Sequence, residues 1–389
     1  MSGELTRRLT RCRNGAFLVG VLGLGACLLG ATAERRQFFA SYLFGYVFWI
    51  GLSLGCMAVA MIHHLTGGRW GYPTRRFLEA GFSTMPVVTV LFVPILFGLS
   101  DLYPWADPNL SGRFKLHSRV PYLSPKWFVA RAVFCLLLWS SVAWLLRRWS
   151  LAQDRTADSR AIRRLRQLSG PGLLCYPLTA TFVCVDWVMS IESGWSSTAF
   201  ALVVLAGQIL AAFAFITILL RLFEKEPGIA QIASSAVYHQ LGNLLLTFVL
   251  FWTYISFGQF LIIYAANLPQ EIAWYSRRIA GGWKEVILII AALHFFVPFF
   301  LLLFRPVKRN AKYLATIAAM LLGLHLLAVY WLILPSFHPD GFRLSWLDFS
   351  APIGLGGVWL GTFCWLLRSA PLVPQNDPRM RVEVTDEAS

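Results

Sequence analysis

Few side chains in this 389-residue chain can do chemistry, because the stretches that carry them are oily. Asp186 stands in LLCYPLTATFVCVDWVMS and Arg131 in WFVARAVFCLLLW. A charged group set into such sequence costs about 2.5–3.5 kcal/mol to insert into a bilayer, so each needs a partner or a task. On a helix turning 100° per residue, Cys175, Thr179, Asp186 and Ser190 share an arc of about 60°. Tyr46 belongs to an earlier apolar run and is expected at a similar depth. Asp186, Arg131 and Tyr46 could form an ion pair with a phenol beside it, accept a proton, or hydrogen-bond a quinol headgroup. A satisfied interhelical ion pair with no further role is the plain alternative.

A second set is expected near the opposite membrane face. His63 and His64 close one apolar run, and Glu79 with Ser83, one turn apart, opens the next. Gln240, Asn243, Thr247 and Tyr254 fall within an arc of about 60°, with Gly258 beside them. Lipid rejects such a stripe, so it is expected to face other helices or an internal cavity. Glu79, His63, His64, Ser83, Gln240, Asn243, Tyr254, His294 and His325 are the candidates for a proton path. Interfacial capping and snorkelling is the plain alternative for His63 and His64. His294 and His325 lie deeper, but no span carries two histidines at a spacing that would serve a stacked pair of haems. The seven cysteines have no metal-ligand spacing, and six of them lie in apolar segments as small buried hydrophobes. There is no Walker motif and no hydrolase nucleophile elbow. No metal or covalently bound cofactor is expected on this chain.

The elements that position these groups follow from composition. The chain is 57% hydrophobic and 14% charged, with a mean hydropathy of +0.61. Soluble proteins carry nearer a quarter charged residues, so this is an all-α polytopic membrane protein. At about 20 residues per crossing, ten spans are expected at 15–33, 38–62, 77–100, 127–146, 169–191, 197–221, 239–268, 285–304, 313–335 and 349–367. With the N-terminus in the cytoplasm, 23 of the 34 Lys and Arg fall in cytoplasmic segments and 10 in outer ones, with Arg131 inside span four. The reverse orientation violates the positive-inside rule, so both termini are expected in the cytoplasm. The net charge of +15 therefore reflects membrane topology and not nucleic-acid binding. Arg7, Arg8, Arg11 and Arg13 precede an apolar run that reads as a first anchor and not as a cleaved signal. RRWSLAQDRTADSRAIRRLRQLSG, between spans four and five, reads as a solvated cytoplasmic loop. The outer connector from Asp101 to Lys126 is long enough to be a docking surface.

Several segments taken together resemble a known family. YPWADP, PYLSPKWFVARAVF, PGLLCYPLTATFVCVDWVMSIESGWSST, FWTYISFGQFLIIYAANLPQEIAWYSRR and HFFVPFFLLLFRPVKR are similar to the ActF-type membrane subunits of bacterial alternative complex III. These, like their ActC sisters, are similar to the NrfD/PsrC-type quinone-interacting subunits. The resemblance runs from about Phe38 to Arg309. FGQFLIIYAANLPQE and HHLTGGRWG favour ActF over ActC.

The resemblance implies two four-helix bundles, 38–192 and 193–336. A peripheral helix lies in 1–37, and 337–389 holds another with the tail. It implies a bacterial inner-membrane complex with multihaem cytochrome c subunits, an iron–sulfur protein and a sister NrfD-like membrane subunit. Electrons would pass to a cytochrome c or directly to a terminal cytochrome c oxidase. Haems and iron–sulfur clusters would belong to the partners, and quinone or quinol would be the mobile cofactor. Asp186 occupies the Asp of the family's DWxMS motif and Arg131 the Arg of its FVARAV segment, which gives these two positions the quinol pocket. The expected function is thus a membrane subunit of a quinol oxidoreductase, contributing a quinol-like pocket, a proton path or both. A secondary transporter and a scaffold without chemistry are the competing readings.

Overall fold

The computed structural model describes residues 3–108, 122–156, 159–192 and 194–374. Helix is the only regular structure among them. Ten helices are long and apolar enough to cross a membrane: Gly3–Ala33, Arg35–Thr66, Gly71–Phe97, Pro125–Asp154, Arg160–Ile191, Phe200–Phe223, Ser235–Ala266, Trp283–Leu303, Ala311–Ser336 and Leu347–Arg368. They are spans one to ten, and the chain is an all-α, multi-pass membrane protein.

Span two is the hub. Most of its length is buried, and it touches spans one, three, five, six, nine and ten. Spans two, three, four and five close a ring, with two against three and five and four against three and five. Spans six, seven, eight and nine close a second ring, and span six joins the two by packing on spans two and five. Lipid gives no hydrophobic drive between helices, so close backbone approach has to supply the packing. A Cβ added to Gly55 of span two would stand 2.8 Å from the carbonyl carbon of Gln208 in span six. Spans one and ten meet the same way, where a Cβ on Gly23 would stand 2.7 Å from the Cα of Gly354.

Several elements depart from the sequence expectation. Span three starts at Gly71, not near 77, because Arg75 and Arg76 are buried helical residues and not part of a connector. It is then broken into Met85–Val90 and Val93–Phe97, each with a proline (Pro86, Pro94) in its first turn. A proline there removes an N–H that an uninterrupted helix would need. The basic connector between spans four and five is not a loop but the continuation of helices Pro125–Thr156 and Ser159–Trp187. Between spans seven and eight lies a further helix, Pro269–Ile279, which buries Trp274 and Arg278. Span eight contains a π-turn at Ala291–Phe296, just before Pro298. Of the outer connector from Asp101 to Lys126, residues 109–121 lie outside the described residues.

Candidate functional site

At one end of the spans Asp186 is fully buried on span five, and Arg131 reaches it from span four. Arg131 donates from Nε to Oδ2 at 2.7 Å and from Nη2 to Oδ1 at 3.0 Å, a bidentate charge-assisted pair. The Arg131 guanidinium also donates to the carbonyl of Tyr122 at 2.9 Å and lies 3.8 Å from the centre of that residue's ring. The Tyr122 phenol is within hydrogen-bonding reach of the Asp186 carboxylate. Burial, and then the Asp186 charge, push that phenol up to about 12.

One turn beyond, the Ser190 hydroxyl donates to the Asp186 carbonyl at 2.5 Å and accepts from the Trp105 indole at 3.1 Å. Tyr103 donates its hydroxyl to the Trp187 carbonyl at 3.0 Å. Tyr46, Phe92 and Trp187 form an aromatic wall, with Phe92 and Trp187 stacked at 4.6 Å and Tyr46 within 5.6 Å of both. Two donors in this wall, the Tyr46 hydroxyl and the Trp187 Nε1, are buried and find no hydrogen-bond partner among the described residues. The structure thus joins Asp186 to Arg131 and sets Tyr46 beside Trp187, the next residue after Asp186. Of the companions on the Asp186 arc, Thr179 accepts from Trp139 at 2.9 Å and Cys175 is exposed.

At the other end Glu79 is enclosed by two cations. Its carboxylate is paired with Arg75 at 2.9 Å and with Arg76, and Ser150 donates to it. Arg76 also pairs with Asp154, and Arg75 bonds Ser150 and Gln153 at 2.8 and 2.9 Å. Arg147 donates to the Leu366 carbonyl at 2.8 Å, tying this cluster to span ten. Spacings of three and four residues place Arg75 and Arg76 on the Glu79 side of one helix, a signal present in RRFLE. Ser83 caps that helix through its N–H, and its buried hydroxyl finds no partner among the described residues. His64 meets Ser169 at 3.1 Å and His63 the Gly68 carbonyl at 3.2 Å, with Trp70 and Tyr72 edge-on to the His63 ring. Gln240 accepts from the Trp70 N–H at 3.1 Å.

Beyond Gln240, the polar stripe of span seven does not face inward. Asn243 and Thr247 are exposed, Tyr254 is 77% exposed, and nothing stands within 4 Å of a Cβ placed on Gly258. The inward face carries Leu245, Val249, Trp252, Ser256, Gln259 and Ile263 instead. Polarity alone marks an arc but not its direction. Asn243 is nonetheless engaged, accepting from Lys308 at 2.8 Å. His294 and His325 are buried at mid-span.

Two buried acid clusters escape a reading from sequence. Glu192, in the turn after span five, accepts from Arg277 at 2.9 Å, Arg278 at 2.7 Å and Ser336 at 2.6 Å. Arg278 lies 3.7 Å over the Trp274 ring, and burial, only partly offset by Glu192, lowers it to about 10. Asp348, at the start of span ten, accepts from Gln37 (2.8 Å), Ser41 (2.6 Å), Tyr330 (3.2 Å) and the Ser345 N–H (2.9 Å). The amphipathic character of PQEIAWYSRRI was the available signal for the first. None marked the second, which needs spans two, nine and ten brought together.

Neither a comparison with models of known protein families nor one with curated proteins finds a match for this chain.

Proposed function

We propose that the chain is a membrane subunit of a quinol-oxidising respiratory complex of the alternative complex III type, set in a bacterial inner membrane with both termini in the cytoplasm. One observation carries the reading: the buried Arg131–Asp186 pair beside an aromatic wall with two unpartnered donors, Tyr46 hydroxyl and Trp187 Nε1. A buried donor without an acceptor is costly, and each one asks for an occupant. A quinone headgroup is flat, apolar on its faces and edged with carbonyl oxygens, so a stacked aromatic wall with N–H and O–H donors fits it. When bound, it supplies a carrier of two electrons and two protons.

The chain's own contribution is to hold and orient. Tyr46 and Trp187 offer hydrogen bonds, and Phe92 and Trp187 offer a stacking face. Asp186 holds Arg131 in place, and the Arg131 cation sets the local field. Haems and iron–sulfur clusters belong to partner subunits on this reading, and electrons leave through them to a cytochrome c or a terminal oxidase. The sister NrfD-like subunit is a further partner.

A scaffold without chemistry is the second reading, and the Glu79 cluster favours it. A carboxylate held by two guanidiniums of span three and a hydroxyl of span four ties those helices together, which speaks for a structural role of Glu79. Affinity purification of the tagged chain from its native membranes tests the main reading. The expected preparation carries haem-containing subunits and oxidises quinol. A colourless preparation of the chain alone would count against it.

A further inference from the structure

The second ring of helices holds a set of buried polar atoms that none of the charge clusters uses. His294 is the twelfth of 21 residues in span eight and fully buried, and both its ring nitrogens lack a partner among the described residues. His325, at the middle of span nine, is buried, with Nδ1 likewise unpartnered. Span seven adds the Thr253 and Ser256 hydroxyls, one residue and one turn along from Trp252, both buried without partners among the described residues. The rings stand together. His294 lies 4.3 Å from Trp252, and Trp252 Nε1 and His325 Nδ1 both lie within 3.4 Å of the point a Cβ on Gly207 would occupy.

The backbone is also short of donors here. Pro298 has no N–H for the carbonyl four residues before it, which is that of His294. The helix answers with a π-turn, in which the Val297 N–H reaches back to the Ala292 carbonyl. Turns of this kind gather at functional sites in helices.

A transmembrane bundle has no bulk solvent to satisfy such groups, and leaving several of them unmet on neighbouring helices is costly. The chemistry of the set selects the occupant. Imidazoles and hydroxyls both donate and accept, and among the described residues no carboxylate or thiolate accompanies them to hold a cation. Water, with two to four hydrogen bonds to offer, fits them.

We propose that spans seven, eight and nine enclose bound water between His294, His325 and the Thr253–Ser256 turn. The two imidazoles then form a hydrated pair able to exchange a proton at mid-membrane. The site is separate from the Arg131–Asp186 region, so its failure would leave the quinol reading standing, and the reverse.

Solid-state NMR on the full chain in lipid bilayers, with its seven histidines labelled with ¹⁵N, tests this. His294→Phe and His325→Phe serve to assign the two signals. The expected result is a water–ring cross-peak for both histidines and loss of their N–H protons on transfer to D2O. Replacing Thr253 by Val and Ser256 by Ala should weaken both cross-peaks while the histidine ring signals persist. Ring protons that survive prolonged D2O exposure without any water cross-peak would overturn the proposal. So would a map at about 2 Å showing both imidazoles bonded directly to protein atoms.

Discussion

Replacing Asp186 by Asn keeps the shape of the side chain and removes its charge. Arg131 then faces a neutral amide from a side chain that is only 20% exposed. Breaking a buried pair costs about 3–5 kcal/mol, mostly the charge left behind. Partial exposure of Arg131 puts the loss near the lower end, about 3 kcal/mol, or roughly a hundredfold in the folded-to-unfolded ratio. Arg131→Gln leaves the fully buried carboxylate alone and should cost at least as much. The double variant carries no stranded charge, so about 1–3 kcal/mol should return as coupling. Denaturant titration of the purified protein measures all four corners, and quinol oxidation by membranes is measured on the same set. If the pair serves a quinol pocket, turnover stays low in the double variant although its stability recovers. A double variant with unaltered turnover would refute the pocket, and strictly additive losses would refute the pairing itself.

Glu79→Gln should destabilise the chain by about 3–5 kcal/mol, since it strands Arg75 and Arg76 in a buried site. Denaturant titration measures it, and the structure expects no loss of turnover beyond the loss of folded protein. The Tyr122 phenol, raised to about 12 by burial and by Asp186, should titrate late. Its raised folded value favours the neutral form, so this contribution to stability is whole below about pH 10 and fades as the pH climbs toward 12. Difference spectra of the intact protein and Tyr122→Phe in the phenolate band should show that shift, and an ordinary titration near 10 would contradict it. Gly55→Ala would drive a methyl group into the backbone of Gln208, an overpacking of about 1–3 kcal/mol that should lower the yield of folded protein in detergent. Gly25→Ala, with open space around its Cβ, is the neutral control.

What could be read without coordinates follows from how membranes constrain sequence. Ten apolar stretches imply ten helices because lipid leaves the backbone no other solution. Asp186 and Arg131 were legible as partners because each stands alone in an oily run at a matched depth. The span-seven stripe was legible as an arc, but its outward direction depends on Trp252, Ser256 and Gln259 filling the opposite face. Arg75 and Arg76 look like connector charges until the helix is known to begin at Gly71, and only then do they surround Glu79. Span three is broken at Pro86 and Pro94, which an apolar count across 77–100 does not register. The meeting of Glu192 with Arg278, and of Asp348 with Gln37, depends on how distant loops and spans converge, which no local pattern records.

On the proposed function, the aromatic wall beside Arg131 and Asp186 receives a quinone headgroup. A photoreactive quinone analogue, activated in native membranes and followed by peptide mapping, tests it most directly. Labelling is expected on segments around Tyr46, Phe92 and Trp187, and should be suppressed by excess quinol and by Trp187→Leu. Labelling confined to other chains, or spread over the lipid-facing surface and indifferent to competitor, would contradict it.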